Sequence, residues 1–142
     1  MYDTNRGILQ TNVLTASGLT LTAGDKLFWT PGPYKAVIRW MSATVCTAIQ
    51  SADPATIALE RRITAGSDTG RVTSGVPTVI VPGGTVAGKC IVKEGLNFEV
   101  KGGQEIVVKV TDATAAGAAH ICFGYEYVYE HIGNNVNNAA TA

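Results

Sequence analysis

Charge is what this 142-residue chain has least of. Asp, Glu, Lys and Arg make up 15% of it, against about 25% in ordinary domains, while hydrophobic residues reach 46%. So few charges point to a chain that hides part of its surface against a partner, and self-association is the economical form of that. Lys plus Arg equals Asp plus Glu, and the formal net charge is zero. The only adjacent basic pair is Arg61-Arg62, so the basic excess or stripe of a nucleic-acid binder is missing. The start, MYDTNR, lacks a basic segment followed by an apolar run, which argues against a secretory signal. No apolar run nears the roughly 18 residues of a membrane span. The three cysteines, Cys46, Cys90 and Cys122, are odd in number and widely spaced in apolar, strand-like runs. Buried free thiols, suited to assembly in a reducing compartment, are the expectation. One disulfide plus one free thiol is the alternative.

Catalytic signatures are also missing. No Gly-x-Ser-x-Gly elbow surrounds Ser17, Ser42, Ser51, Ser67 or Ser74. Gly83-Gly84 and Gly102-Gly103 read as hairpin turns, since neither feeds a helix as a phosphate-binding loop does. His120 and Cys122 are two apart on one strand and could share an ion, but two ligands do not close a zinc site. Asp25, Asp53, Asp68 and Asp112 fall in separate turns, where aspartate bonds its own backbone. Calcium needs such oxygens clustered. Glu126 and Glu130 share a strand face, but a glycosidase needs two carboxylates across a cleft. The chain therefore reads as a non-enzyme with no cofactor and no metal.

What the chain does have is alternation. Residues 102–130 form its spine. Ile106, Val108 and Val110 are apolar and Glu105, Lys109 and Thr111 polar, with Val107 the exception. After the small residues around Gly117, Ile121, Phe123, Tyr125, Tyr127 and Tyr129 fall on one face. His120, Cys122, Gly124, Glu126 and Glu130 fall on the other. A period of two is the mark of a half-buried strand, and the two arms are expected to pair as the central hairpin of a sheet.

Residues 34–47 give a third long strand. Straight alternation puts Ala36, Ile38 and Trp40 on one face and Val37, Met41, Ala43 and Val45 on the other, so part of it should be covered on both sides. Residues 55–64 are read as a strand on the spacing of Ile57, Leu59 and Ile63, although Asp53-Pro54 could also cap a helix. Residues 65–75 read as a loop. Residues 76–81 read as an edge strand, because Pro77 cannot donate to a ladder. Shorter strands are expected around residues 11–14, 19–22, 26–29, 85–93 and 96–100. The total is eight to ten strands with turn signals every eight to twelve residues. That is an all-β fold, an antiparallel β-sandwich with jelly-roll or Greek-key wiring. Residues 1–10 read as an N-terminal arm, 11–131 as the sandwich domain and 132–142 as a flexible C-terminal tail.

The tyrosines admit two readings. Tyr125, Tyr127 and Tyr129 belong to the core with Ile121 and Phe123, or the outer ones leave it to meet a partner, a role that suits a large ring with a polar tip. With Tyr2 and Arg6 in the arm, they are the candidate interface residues. A flat aromatic row could also stack on sugar rings.

A resemblance now follows from particular stretches. The run VKGGQEIVVKVTD at 100–112, the small residues at 115–118, the Tyr-rich last strand, the turns at 31–33 and 81–84 and the Asn/Ala tail resemble the β-sandwich head-decoration, or cement, proteins of tailed bacteriophages. The resemblance implies a virion structural protein, made in the host cytoplasm, that binds the outer capsid surface. Its partners would be the major capsid protein and further copies of itself, as a homotrimer, with no nucleic acid and no membrane. Its task would be to bridge capsid subunits and stabilise the head. The alternative is a carbohydrate- or receptor-binding sandwich of a tail fibre or other surface protein.

Overall fold

The computed structural model describes residues 12–111 and 117–128. Among them, alternation becomes nine strands: β1 (Asn12–Thr20), β2 (Gly24–Trp29), β3 (Lys35–Thr47), β4 (Ala55–Arg62), β5 (Thr78–Val81), β6 (Cys90–Lys93), β7 (Phe98–Val100), β8 (Glu105–Thr111) and β9 (Ala118–Val128). They form two antiparallel sheets. Sheet A has the order β1-β9-β3-β6, with β7 also paired to β3, and sheet B the order β2-β8-β4-β5. This is an all-β fold of two antiparallel sheets, a β-sandwich. The stretch 55–62 is a strand, and β5 lies at an edge directly after Pro77, whose carbonyl accepts from the Leu59 amide at 3.0 Å.

The last two long strands do not form a hairpin. β8 pairs with β2 and β4, whereas β9 pairs with β1 and β3. Each is central, but in a different sheet. Within β8 and β9 the faces follow the alternation, but the neighbours differ from the expected hairpin. Ile106, Val108 and Val110 meet Ile121 and Phe123 across the sandwich core rather than along one ladder. Leu21, Ile38, Met41, Val45, Ile57, Leu59, Val81 and Val100 complete the centre of that core.

β3 departs from straight alternation at Arg39. Ile38 pairs with Tyr125 and Trp40 with the adjacent Gly124, so Arg39 is an extra residue, a β-bulge. The bulge reverses the parity. Ala36 and Ile38 before it, and Met41, Ala43 and Val45 after it, all reach the core, while Trp40 turns outward over Gly124. The bulge also divides the strand beyond β3. β7 pairs with Ala36–Ile38, β6 pairs with Met41–Thr44, and between them the Leu96 amide donates to the Arg39 carbonyl at 2.9 Å. Arg39 itself donates from Nε to Glu126 at 2.7 Å and from Nη1 to Asn97 at 2.8 Å. β1 has a similar irregularity between Ala16 and Leu19, where Gly18 takes a left-handed φ of 62°.

The loop at 63–75 is fastened to sheet B by charge. Arg71 holds Asp25 on β2 through Nη1 at 3.0 Å and Nη2 at 2.7 Å. Its Nε lies 2.8 Å from Oε1 of Glu60 on β4. Asp68 joins Arg71 at 3.1 Å and Arg62 at 2.8 Å, and Arg62 continues to Glu105 at 2.8 Å. In the ladder Val107 lies between Phe28 and Glu60. The Arg71 side chain therefore stretches across this part of the outer face, and the apolar exception in β8 is buried.

All three cysteines are free, as expected, but they are not buried. Cys46 and Cys122 are half-buried and Cys90 is exposed. In the ladder Cys122 is opposite Ser42, and Cys90 is opposite Thr44, on the face of sheet A that turns away from the core.

Candidate functional site

Of the five candidate interface residues, Tyr125 and Tyr127 are described; Tyr2, Arg6 and Tyr129 lie outside the described residues, as do the arm at 1–10 and the tail at 132–142. β9 carries Phe123, Tyr125 and Tyr127 on its inner face, and the three leave the core step by step. Phe123 is fully buried and meets the Trp29 ring edge-on, with centroids 5.4 Å apart. Trp29 closes β2 in the opposite sheet, and its ring is 4.5 Å from that of Tyr125. Tyr127 follows at 5.5 Å, and Tyr34 at 5.7 Å from Tyr127 stands 47% exposed at the mouth of β3. Burial raises the Tyr125 hydroxyl above the usual phenol range, and the neighbouring Tyr127 adds to this.

The row therefore runs from the core to the surface. Its inner end ties the two sheets together, and its outer end is an aromatic rim. The rings meet at angles of 51° to 82°, so the row is a chain of tilted and edge-to-face contacts rather than the flat platform on which sugars stack.

Fixed loops surround the rim. The Gly102 backbone lies so close to Pro33 that a Cβ would stand 3.0 Å from its carbonyl oxygen. The Ala65 amide donates to the Gly103 carbonyl at 2.9 Å, and Lys35 pairs with Glu99 at 3.2 Å. Beside the rim Asn12 pairs with Tyr125, and Val128 with Lys35.

A second feature was not legible in the sequence. β5 ends sheet B and β6 ends sheet A on the same side of the sandwich, and a trough runs between them. A hollow of about 470 Å³ lined by Ile80, Val86 and Ile91 continues past Thr78 and Lys93 to a further hollow at Pro77 and Phe98. Ile80, Val86 and Val92 are 56%, 66% and 53% exposed. The signal available beforehand was Ile80, an apolar residue on the polar face of a strand already read as an edge.

The paired ligands considered for a metal are engaged otherwise. His120 accepts the Gly18 amide on Nδ1 at 2.8 Å, and the Cys122 thiol lies 3.4 Å from the Thr15 hydroxyl. Among the described residues no group of three or more His, Cys, Asp or Glu side chains is placed to hold a metal ion.

No family model and no curated sequence matches the chain. Among solved structures, it is similar to a chain of the disulfide-linked pili that form Bacillus endospore appendages, at 13% identity over 83% of this chain and 86% of that one, with a TM-score of 0.42. It is also similar to a chain of the Tomato Aspermy Virus structure, at 16% identity over 84% of this chain and 78% of that one, with a TM-score of 0.37.

Proposed function

We propose that the protein is a non-enzymatic structural component of a virion, a decoration or cement protein on the outer capsid surface that stabilises the head by bridging capsid subunits. The observation that carries this reading is the aromatic rim of Tyr34, Tyr125 and Tyr127 at one end of the sandwich. Tyrosine buries a large ring while keeping a polar tip, and it is enriched at protein interfaces. The surrounding loops are held by backbone contacts, so binding there orders few side chains and loses little entropy. Several copies acting together, as in a homotrimer, would turn modest contacts into tight attachment by raising effective concentration.

Two measurements test the reading. Mass spectrometry of gradient-purified particles should give a copy number comparable to that of the major capsid protein. A handful of copies would move the protein to the tail, and complete absence would remove it from the virion. In a capsid pull-down, Tyr127→Ala should weaken particle binding while leaving the melting temperature close to that of the native protein. A large fall in melting temperature with binding retained would assign Tyr127 to the core alone.

A further inference from the structure

The flat ring that the tyrosine row lacks lies on the opposite face of sheet A. The bulge in β3 turns Arg39 and Trp40 to the same outer side. A Cβ at position 124, which projects straight out of the sheet, would run into Nε1, Cε2 and Cδ1 of Trp40 together. The indole therefore lies down over Gly124, with one face on the backbone and the other outward, and Trp40 is half-buried as a whole. Its neighbours on this face are short. Val13 stands opposite Gly124 on β1 and is 54% exposed, and Ser42, Cys122 and Thr15 form the next row. One side of the ring is polar. Glu126 is two residues from Gly124 on the same face of β9, about 7 Å along the strand. The Arg39 guanidinium holds both Glu126 and Asn97 beside the ring. Oε2 of Glu126, Nδ2 of Asn97 and the indole N–H have no partner among the described residues.

We propose that this face binds a neutral saccharide of gluco configuration, with one pyranose stacked on the indole of Trp40 and its hydroxyls on Glu126 and Asn97. A β-linked sugar of this configuration carries its substituents equatorially. Its ring faces are then bare C–H and its rim is hydroxyl, which matches a flat aromatic ring with a polar border. Each hydroxyl donates and accepts, Glu126 supplies an acceptor and the Asn97 amide supplies donors. Arg39 fixes both in place, so binding orders few side chains. The other classes of ligand fit less well. A cation attracted by the ring face meets a carboxylate that Arg39 already neutralises. An added peptide strand needs a free edge, whereas β3 and β9 are both central in sheet A.

This inference goes beyond the capsid reading and is tested without a capsid, so either can fail alone. The full chain is titrated calorimetrically with cellohexaose and with its N-acetylated counterpart chitohexaose. At least one should give saturable heat with a Kd of about 1 mM or tighter. Tryptophan emission should shift as the sugar displaces water from the outer face of Trp40. Trp40→Ala should weaken binding at least ~10-fold and abolish that shift, and Trp40→Tyr should recover part of the affinity. Asn97→Ala should weaken binding while keeping the shift. Circular dichroism verifies that each variant folds. Absence of heat with both sugars at about 5 mM, well above the expected Kd, would overturn the proposal. Binding that survives Trp40→Ala would also overturn it. So would a Trp40→Ala chain that loses capsid binding while the native chain binds neither sugar, which would assign this face to a protein partner.

Discussion

The indole of Trp40 occupies the space in which a side chain at position 124 would stand. The two residues face each other across the β3–β9 ladder, and Trp40 reaches this position only because the bulge at Arg39 turns it outward. Gly124 is therefore required for its lack of a side chain rather than for an unusual backbone angle. Gly124→Ala should lower stability by about 1–3 kcal/mol, the usual cost of overpacking, measured by urea unfolding. Trp40→Ala in the same chain should restore part of the loss, since it removes the atoms that clash. Full additivity of the two changes would show that they do not meet.

Arg71 is the centre of the charge network over sheet B. Arg71→Met should cost about 3 kcal/mol or more, because it leaves the carboxylate of Glu60, a residue only 4% exposed, without its partner. Thermal unfolding measures the loss, and a change within error would mean that Glu60 is solvated by other means.

The same network should make the protein sensitive to acid. The hydrogen bonds from Arg71 hold the Asp25 carboxyl below the usual carboxylate range, more than offsetting the effect of burial. A depressed folded-state value stabilises the fold fully above the unfolded value, near pH 4, and this contribution is lost as pH falls through the folded value. Stability should therefore decline below about pH 4, and the decline should be shallower in Asp25→Asn. Parallel pH profiles from urea unfolding decide the matter.

Phe123 and Tyr34 mark the two ends of the aromatic row, and their removal should differ in kind. Phe123→Ala empties a fully buried site and should cost about 3–5 kcal/mol. Tyr34→Ala removes a ring that is 47% exposed and should cost less than about 1 kcal/mol. Equal losses in denaturant titrations would mean that the rim is part of the core.

The thiols should react in order of exposure. Cys90 should react with a disulfide reagent well before Cys46 and Cys122, and Cys90→Ser should abolish the fast phase. Three equal rates would place all three on an equivalent surface.

Much of this molecule is legible as pattern. Apolar residues spaced two apart at 106–110 and 121–127 were enough to identify strands, to say which side chains point the same way and to name the fold class, because a strand's side chains alternate whatever lies beside it. Pattern does not specify the neighbour. Strands β8 and β9 are consecutive and similar, yet they lie in different sheets, since alternation is satisfied equally by a partner in the same ladder or by one across the core. Nor does pattern locate a bulge. Inserting Arg39 changed the face of the β3 residues from Trp40 to Val45 and sent Trp40 outward. The exposure of the cysteines, the burial of Val107 beneath Arg71 and the trough between β5 and β6 follow from how two sheets close over each other. That closure depends on contacts between residues far apart in the chain, and no local periodicity records them.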